Sequence, residues 1–388
     1  LDADFDAVSF TDAAKTSTEP SLFTEVAPVP NPSYELADKL QRVADLITAE
    51  LGTFVPGEWR FKHGPGAVAD QRYGSYKYEF KAWPARLDEV FPYDEFAHAN
   101  LSSAIPHLWP CIGNGISDKE YPAVLHAVPK TITGPRLIAS EPVALQWCQQ
   151  AIRDFMYTRV SETLISAFVD FRRQGKNGVL ALEASRSGSH ATIDLSSASD
   201  RISCWHVERL FRRSPTIIHA LWASRSMWLK QDICKYSPRH IVLRKFSTMG
   251  NAVTFPVQSL FFLSIALACV LHTRRMPITK SSIRSLGSSE VRVFGDDIIV
   301  PNDCAELLVD TLHALGLRVN AHKTFTEGNF RESCGVDAFM GHDVTCASVL
   351  DVPKRTGPRS IVSSVDVHNN FCERGYYHTA AFIQKTVS

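Results

Sequence analysis

Residues 291–300, VRVFGDDIIV, place two short β-branched apolar runs around Gly295-Asp296-Asp297. Such runs on either side of a glycine-led turn predict a β-hairpin. Its tip then carries two adjacent carboxylates. On stiff strands these repel each other unless positive charge lies between them. Taken alone, the tripeptide also fits an ordinary acidic turn.

A second carboxylate points the same way. Residues 191–195, ATIDL, predict a strand ending at Asp194, within DLSSASD. A strand-end carboxylate facing a hairpin-tip pair is the ligand set that two divalent ions require for in-line phosphoryl transfer. Oxygen ligands without His or Cys favour Mg²⁺, with Mn²⁺ as the alternative. Between these carboxylates lies STMGNAVT, residues 247–254, which leads into a long apolar segment. Small residues before a helix N-terminus suit close approach to a phosphate or ribose. Asn251 and Thr254 offer hydrogen bonds to sugar hydroxyls, although the stretch also reads as a simple capping loop.

The apolar run FFLSIALACVL, residues 261–271, has 11 residues with polar flanks. A membrane span needs roughly 20. A helix buried in a protein core, within 251–271, is expected, and no membrane partner. The 9 cysteines are scattered without a Cys-x-x-Cys pair, so neither a disulfide framework nor a zinc site is expected.

The chain has 388 residues with 41 basic and 41 acidic side chains. That neutrality argues against a polybasic RNA binder until it is divided along the chain. Residues 1–50 carry a net −7, whereas residues 201–245 carry ten bases and two acids, a net +8. Trp205, Phe211, Trp222, Trp228 and Tyr236 are interleaved with those bases. The segment fits a surface that follows a phosphate backbone, or equally a solvated basic face over core aromatics.

Along the chain, residues 1–32 read as an irregular arm. A helix follows, with Ser33 as N-cap, Leu36, Leu40, Val43 and Ile47 on one face, and Gly52 as its stop. A helical pattern runs from Glu141-Pro142 to about Val160. A helix through Leu307, Leu308, Leu312 and Leu315 precedes a strand at 317–319. Strand, helix, hairpin, helix, strand is the order of a ferredoxin-like unit, so the fold class is α+β.

DLSSASDRIS (194–203), STMGNAVTFPVQS (247–259) and VRVFGDDIIV (291–300) resemble the A, B and C motifs of RNA-dependent RNA polymerases. The likeness is strongest to the replicase β-subunit of the single-stranded RNA bacteriophages, the leviviruses. VPKTITGPRLIASEP (128–142) is similar to their F motif, with Lys130 and Arg136 at the positions that hold the incoming triphosphate. HKTF (322–325) and FRESCGVD (330–337) resemble the D and E region.

The resemblance implies a right hand of fingers (33–188, with a basic insert at 201–245), palm (189–200 and 246–345) and the start of a thumb (346–388), expected to be truncated. Asp194, Asp296 and Asp297 would bind two Mg²⁺ ions. Gly250 and Thr254 fit the B spacing, with Gln258 in place of an asparagine and Met249 in place of a serine. Asp200 matches a sugar-reading aspartate displaced by one residue. Lys323 matches an acid that protonates pyrophosphate, and Arg331-Glu332 would face the nascent strand or form an ion pair. Glu141 would pair with a motif-F base or cap the helix that follows. HGPG at 63–66 resembles a glycine-rich turn of the phage replicases.

The activity implied is RNA-directed RNA synthesis from NTPs in the cytoplasm of an infected bacterium. Template and nascent RNA would be bound, and host elongation factors Tu and Ts and a ribosomal RNA-binding protein would be partners. Leu1 and the short stretch after the last motif suggest a partial chain. A reverse transcriptase and a non-catalytic RNA-binding protein are the alternative readings.

Overall fold

A computed structural model of the chain describes residues 34–71, 77–98, 118–129, 134–349 and 357–387. The arm at 1–32, the Ser33 cap and Lys130 lie outside the described residues. The chain runs through α1 (Tyr34–Leu51), β1 (Ala123–Pro129), β2 (Pro135–Ser140), α2 (Val143–Glu162), α3 (Gly175–Ser187), β3 (His190–Ile193) and β4 (Leu195–Ser196). Next come α4 (Cys204–Leu210), α5 (Pro215–Ser224), β5 (Trp228–Lys230), β6 (His240–Val242) and α6 (Thr254–Thr273). The hairpin β7 (Arg292–Phe294) and β8 (Asp297–Pro301) precedes α7 (Ala305–Ala314), β9 (Arg318–Val319), β10 (Phe330–Ser333), β11 (Val336–Phe339) and β12 (His342–Asp343). Two helices follow, α8 (Pro358–Glu373) and α9 (Tyr377–Val387). The fold is α+β.

The segment expected as one strand to Leu195 is two, β3 and β4, with Asp194 at the break. On one side β3 pairs antiparallel with β8, which pairs with β7; on the other, β4 pairs with β9. The strands form a three-stranded sheet, β3-β8-β7, and a two-stranded one, β4-β9, with α6 leading toward the hairpin and α7 lying between β8 and β9. The chain order of strand, helix, hairpin, helix and strand follows the expected sequence of elements, with the strands divided between these two sheets.

Helix α6 is 20 residues long, nine more than the apolar run itself, and is buried on nearly all sides. It packs on α1, α7, β7 and β8. It is the one described helix long and apolar enough to cross a membrane, but 94 % of its most apolar window is buried inside the protein. Burying one Leu, Ile or Phe stabilises the fold by about 1.5–3 kcal/mol, so α6 is a principal source of core stability. Helix α1 turns the predicted stripe inward: Leu36, Val43 and Ile47 are buried and Leu40 packs at the margin.

A second sheet, in the order β2, β1, β5, β6, joins residues 123–140 to the basic segment, since β1 and β5 run parallel. The free edge of β2 receives the loop that precedes α6: the Ala139 N–H donates to the Met249 carbonyl at 2.7 Å. Gly250 permits this approach. Its φ is +139°, and a Cβ there would lie 1.8 Å from the Ala139 carbonyl oxygen.

At least six of the ten bases in 201–245 are tied to other groups of the protein by hydrogen bonds or ion pairs. Arg225 is buried and donates to the Leu243, Lys245 and Phe246 carbonyls. Lys245 is buried against Asp200, Arg212 and Arg213 meet Asp45, Arg239 meets Asp232, and Arg201 donates to the Gly316 carbonyl. Much of the segment's charge thus holds its own fold together.

Helix α4 starts with a capping box in which Ser203 Oγ accepts from the His206 N–H and the Ser203 N–H donates to His206 Nδ1. Nδ1 must be unprotonated to accept. Burial lowers the His206 pKa to about 4. The folded state therefore binds the proton less readily than the unfolded chain, and stability is lost as pH falls from about 6.5 to about 4. Buried His63, also lowered to about 4, adds a separate loss over the same window.

Two outcomes are expected. His206→Gln, which can keep the capping box, should make the fall in urea-unfolding free energy between pH 7 and pH 4 shallower by on the order of 3 kcal/mol. An unchanged pH slope would remove His206 as a cause. Gly250→Ala should lower unfolding free energy by about 1–3 kcal/mol through backbone strain, with the clash adding to it; an unchanged thermal midpoint would mean that the loop is not held against β2.

Candidate active site

The site grows from the β3–β8 register. Ile193 pairs with Ile298 and Phe294 with Asp297. Continuing the antiparallel register by one residue sets Asp194 opposite Asp297, with Asp296 next to it in the hairpin turn. Gly295 makes that turn possible twice over. Its φ is +65°, and a Cβ would lie 2.9 Å from the Phe255 ring and 3.1 Å from Gln258 Nε2, both on α6. The Gly295 N–H donates to Ser259 Oγ at 3.0 Å, so α6 also holds the hairpin tip.

The electrostatics record the crowding of negative charge. Burial raises the Asp297 carboxyl to about 6, with Asp296 and Asp194 adding to the effect. Burial likewise raises Asp194; Asp296 adds to this, while Asn320 and Lys323 oppose it. Each of these carboxylates has one oxygen fixed. Asp194 Oδ2 accepts from Asn320 Nδ2 at 2.9 Å, and Asp297 Oδ2 accepts from the Cys334 N–H at 3.2 Å. Asn320 follows β9, and Cys334 forms the turn between β10 and β11. Neither was anticipated. The FRESCGVD resemblance was the one available pointer to Cys334, and nothing local marks Asn320.

Among the described residues, no three acidic, His or Cys side chains already stand as a closed ion cage. The donor set nevertheless fits a hard divalent cation: half-buried carboxylate oxygens and an excess of negative charge. Lys323 lies at the margin, its Nζ 2.7 Å from Glu332 Oε1 on β10. That hydrogen bond raises its pKa, and Asp194 and Asp297 contribute further, so Lys323 is protonated at neutral pH.

The candidates for nucleotide contact fare unevenly. Arg136 is exposed on β2. Thr254 Oγ1 donates to the Thr248 carbonyl and meets Ser247 Oγ, each at 2.8 Å, so its hydroxyl closes the loop on itself. Asn251 Oδ1 accepts from the Val253 N–H, leaving Nδ2 buried with no hydrogen-bond partner. Asp200 is ion-paired with the buried Lys245. Gly250 acts through its approach to β2. Thr254 and Asp200 thus each have a partner within the protein.

Glu141 neither pairs with a base nor caps α2. It is fully buried and accepts from Thr248 Oγ1 at 2.7 Å, Ser226 Oγ at 2.7 Å and Gln149 Nε2 at 3.1 Å. Gln149 Oε1 in turn accepts from the Ala252 N–H at 3.2 Å. One buried carboxylate therefore ties the loop before α6 to α2 and to the basic segment. The α2 N-terminus is satisfied by Asp70, whose Oδ1 accepts from the Val143 N–H. Arg331 is also redirected: it is fully buried and donates to the His190, Glu327, Gly328 and Phe330 carbonyls, while Glu332 takes the ion pair with Lys323.

Comparison with known proteins places this geometry in a lineage. The sequence profile of a family described as RNA replicase, beta-chain, matches residues 108–350. The RNA-directed RNA polymerase subunit beta of Qbeta virus (strain MX1) is 32 % identical over 306 residues, 77 % of this chain and 47 % of that protein. The RNA-directed RNA polymerase beta chain of Enterobacteria phage fr is 35 % identical over 217 residues, 56 % of this chain and 36 % of the relative. That of Escherichia phage MS2 is 33 % identical over 233 residues, 60 % and 37 % of the two chains. The chain thus spans less than half the length of these relatives. With the family match covering well over half of its residues, the chain belongs to the RNA replicase beta-chain family.

Proposed function

We propose that this chain carries the catalytic centre of an RNA-directed RNA polymerase, with the ferredoxin-like unit as its palm, residues 33–188 and 201–245 as fingers, and α8 and α9 within the thumb region. The observation that carries the reading is the register that sets Asp194 opposite Asp297, in a family whose members are named for this activity. In the reaction, the 3′-hydroxyl oxygen of the growing RNA bonds to the α-phosphorus of an NTP. The bond from that phosphorus to the α–β bridging oxygen breaks, pyrophosphate leaves with the electron pair, and the hydroxyl proton passes to water.

Asp194, Asp296 and Asp297 would hold two Mg²⁺ or Mn²⁺ ions. When bound, these supply positive charge at the attacking and leaving oxygens. Asn320 and the Cys334 N–H orient two of the carboxylates. Lys323, held protonated beside Glu332, is placed to donate a proton to pyrophosphate. Lys130 and Arg136 would meet the triphosphate, and Asn251 Nδ2 has an unused donor for a sugar hydroxyl. Family likeness further proposes elongation factors Tu and Ts and a ribosomal RNA-binding protein as partners, in the cytoplasm of an infected bacterium.

The test is incorporation of labelled GTP by the purified chain on an RNA template. Synthesis is expected with Mg²⁺ or Mn²⁺ and not with EDTA. Asp296→Asn should lower it by about 100-fold or more. Full activity in that variant would contradict the assignment, and preference for dNTPs would favour a reverse transcriptase. Lys323→Ala should lower kcat by roughly 100-fold with little change in KM for NTP; an unaltered kcat would exclude the proton-donor role.

A further inference from the structure

The four-stranded sheet has two unlike faces. One carries Leu125, Leu137, Ala139 and Leu229 into a small core with Leu243. The register pairs Val124 with Lys230, His126 with Ile138, Trp228 with Val242, and Lys230 with His240, which sorts these residues onto the opposite face. Arg136 pairs with Val128 and shares that face.

There, His126, Arg136 and His240 are exposed, Lys230 is half-buried, and Trp228 and Val242 are 44 % and 50 % exposed. None of the four strands contains Asp or Glu. The face is therefore an aromatic platform among basic and neutral side chains with no carboxylate on its strands. This combination suits a flexible polyanion with stacking bases: cations follow the phosphates and an exposed indole accepts a base of any identity.

We propose that this sheet face binds single-stranded RNA, with a phosphate at Lys230 and a base stacked on Trp228. The choice of RNA rests on the polymerase reading; the platform itself lies on elements outside the three-carboxylate centre. It gives the strand a holding point on the sheet whose other edge receives the Gly250 loop.

The experiment is fluorescence anisotropy with a 5′-labelled 12-nucleotide single-stranded RNA in EDTA, where no synthesis takes place. Trp228→Ala should weaken binding about tenfold. Lys230→Gln should reduce the slope of log affinity against log salt by about 0.7, as for one lost phosphate contact on a single strand. If Trp228→Ala and Lys230→Gln both bind RNA like the wild type, the proposal is overturned. It is equally overturned if Trp228→Ala alters only self-association in sedimentation, which would make the face a protein contact. Binding with the expected dependence by a chain that incorporates no nucleotide would sustain this proposal while removing the polymerase reading.

Discussion

The antiparallel pairing of β3 with β8 is the constraint on which the rest of the molecule depends. Side chains alternate across a strand, so a slip of one residue would turn Asp194 and Asp297 to opposite faces and move Ile193 or Ile298 from the main core to the smaller cluster of Leu180, Ala181 and Ile299. Because Ala191, Ile193, Ile298 and Val300 are all buried, the hydrophobic core enforces the one register that brings the carboxylates together. The repulsion between them is thus maintained by apolar burial elsewhere in the same strands. A cation placed there would relieve it.

Around that pair, the structure connects distant segments through a few buried polar groups. Glu141, at the end of β2, receives three hydrogen bonds from segments 8, 85 and 107 residues away. Leaving any of those donors unpaired in the interior would cost on the order of 1–3 kcal/mol. The loop before α6 is held by this carboxylate and by the approach of Gly250 to Ala139. The second sheet and the three carboxylates therefore share α6 and its leading loop as a common frame. An RNA strand on the sheet and a nucleotide near Asp194 would be positioned by connected parts.

Much of this was legible in the sequence wherever the signal was local. The β-branched runs around Gly295 marked the hairpin, the stripe from Leu36 to Ile47 marked α1, and the apolar run marked the core of α6. Asp194 was legible because a strand ends on it. What could not be read depended on partners far along the chain. That Asp200 pairs with Lys245 and Thr254 with Thr248 could not be read, since those partners meet them only in the fold. Arg331 looks like a surface base until four carbonyls surround it. The charge of 201–245 could be counted but not located, since counting does not distinguish Arg225, which is buried, from Lys230, which lies on an open sheet face.

The central claim is that three carboxylates brought together by strand register form one cation-binding centre. Anomalous diffraction from crystals of the chain soaked in Mn²⁺ tests it most directly. The account predicts manganese peaks within coordination distance of Asp194 and of the Asp296-Asp297 turn, lost in crystals of Asp194→Asn. Manganese bound only elsewhere, or peaks unaffected by that substitution, would contradict it.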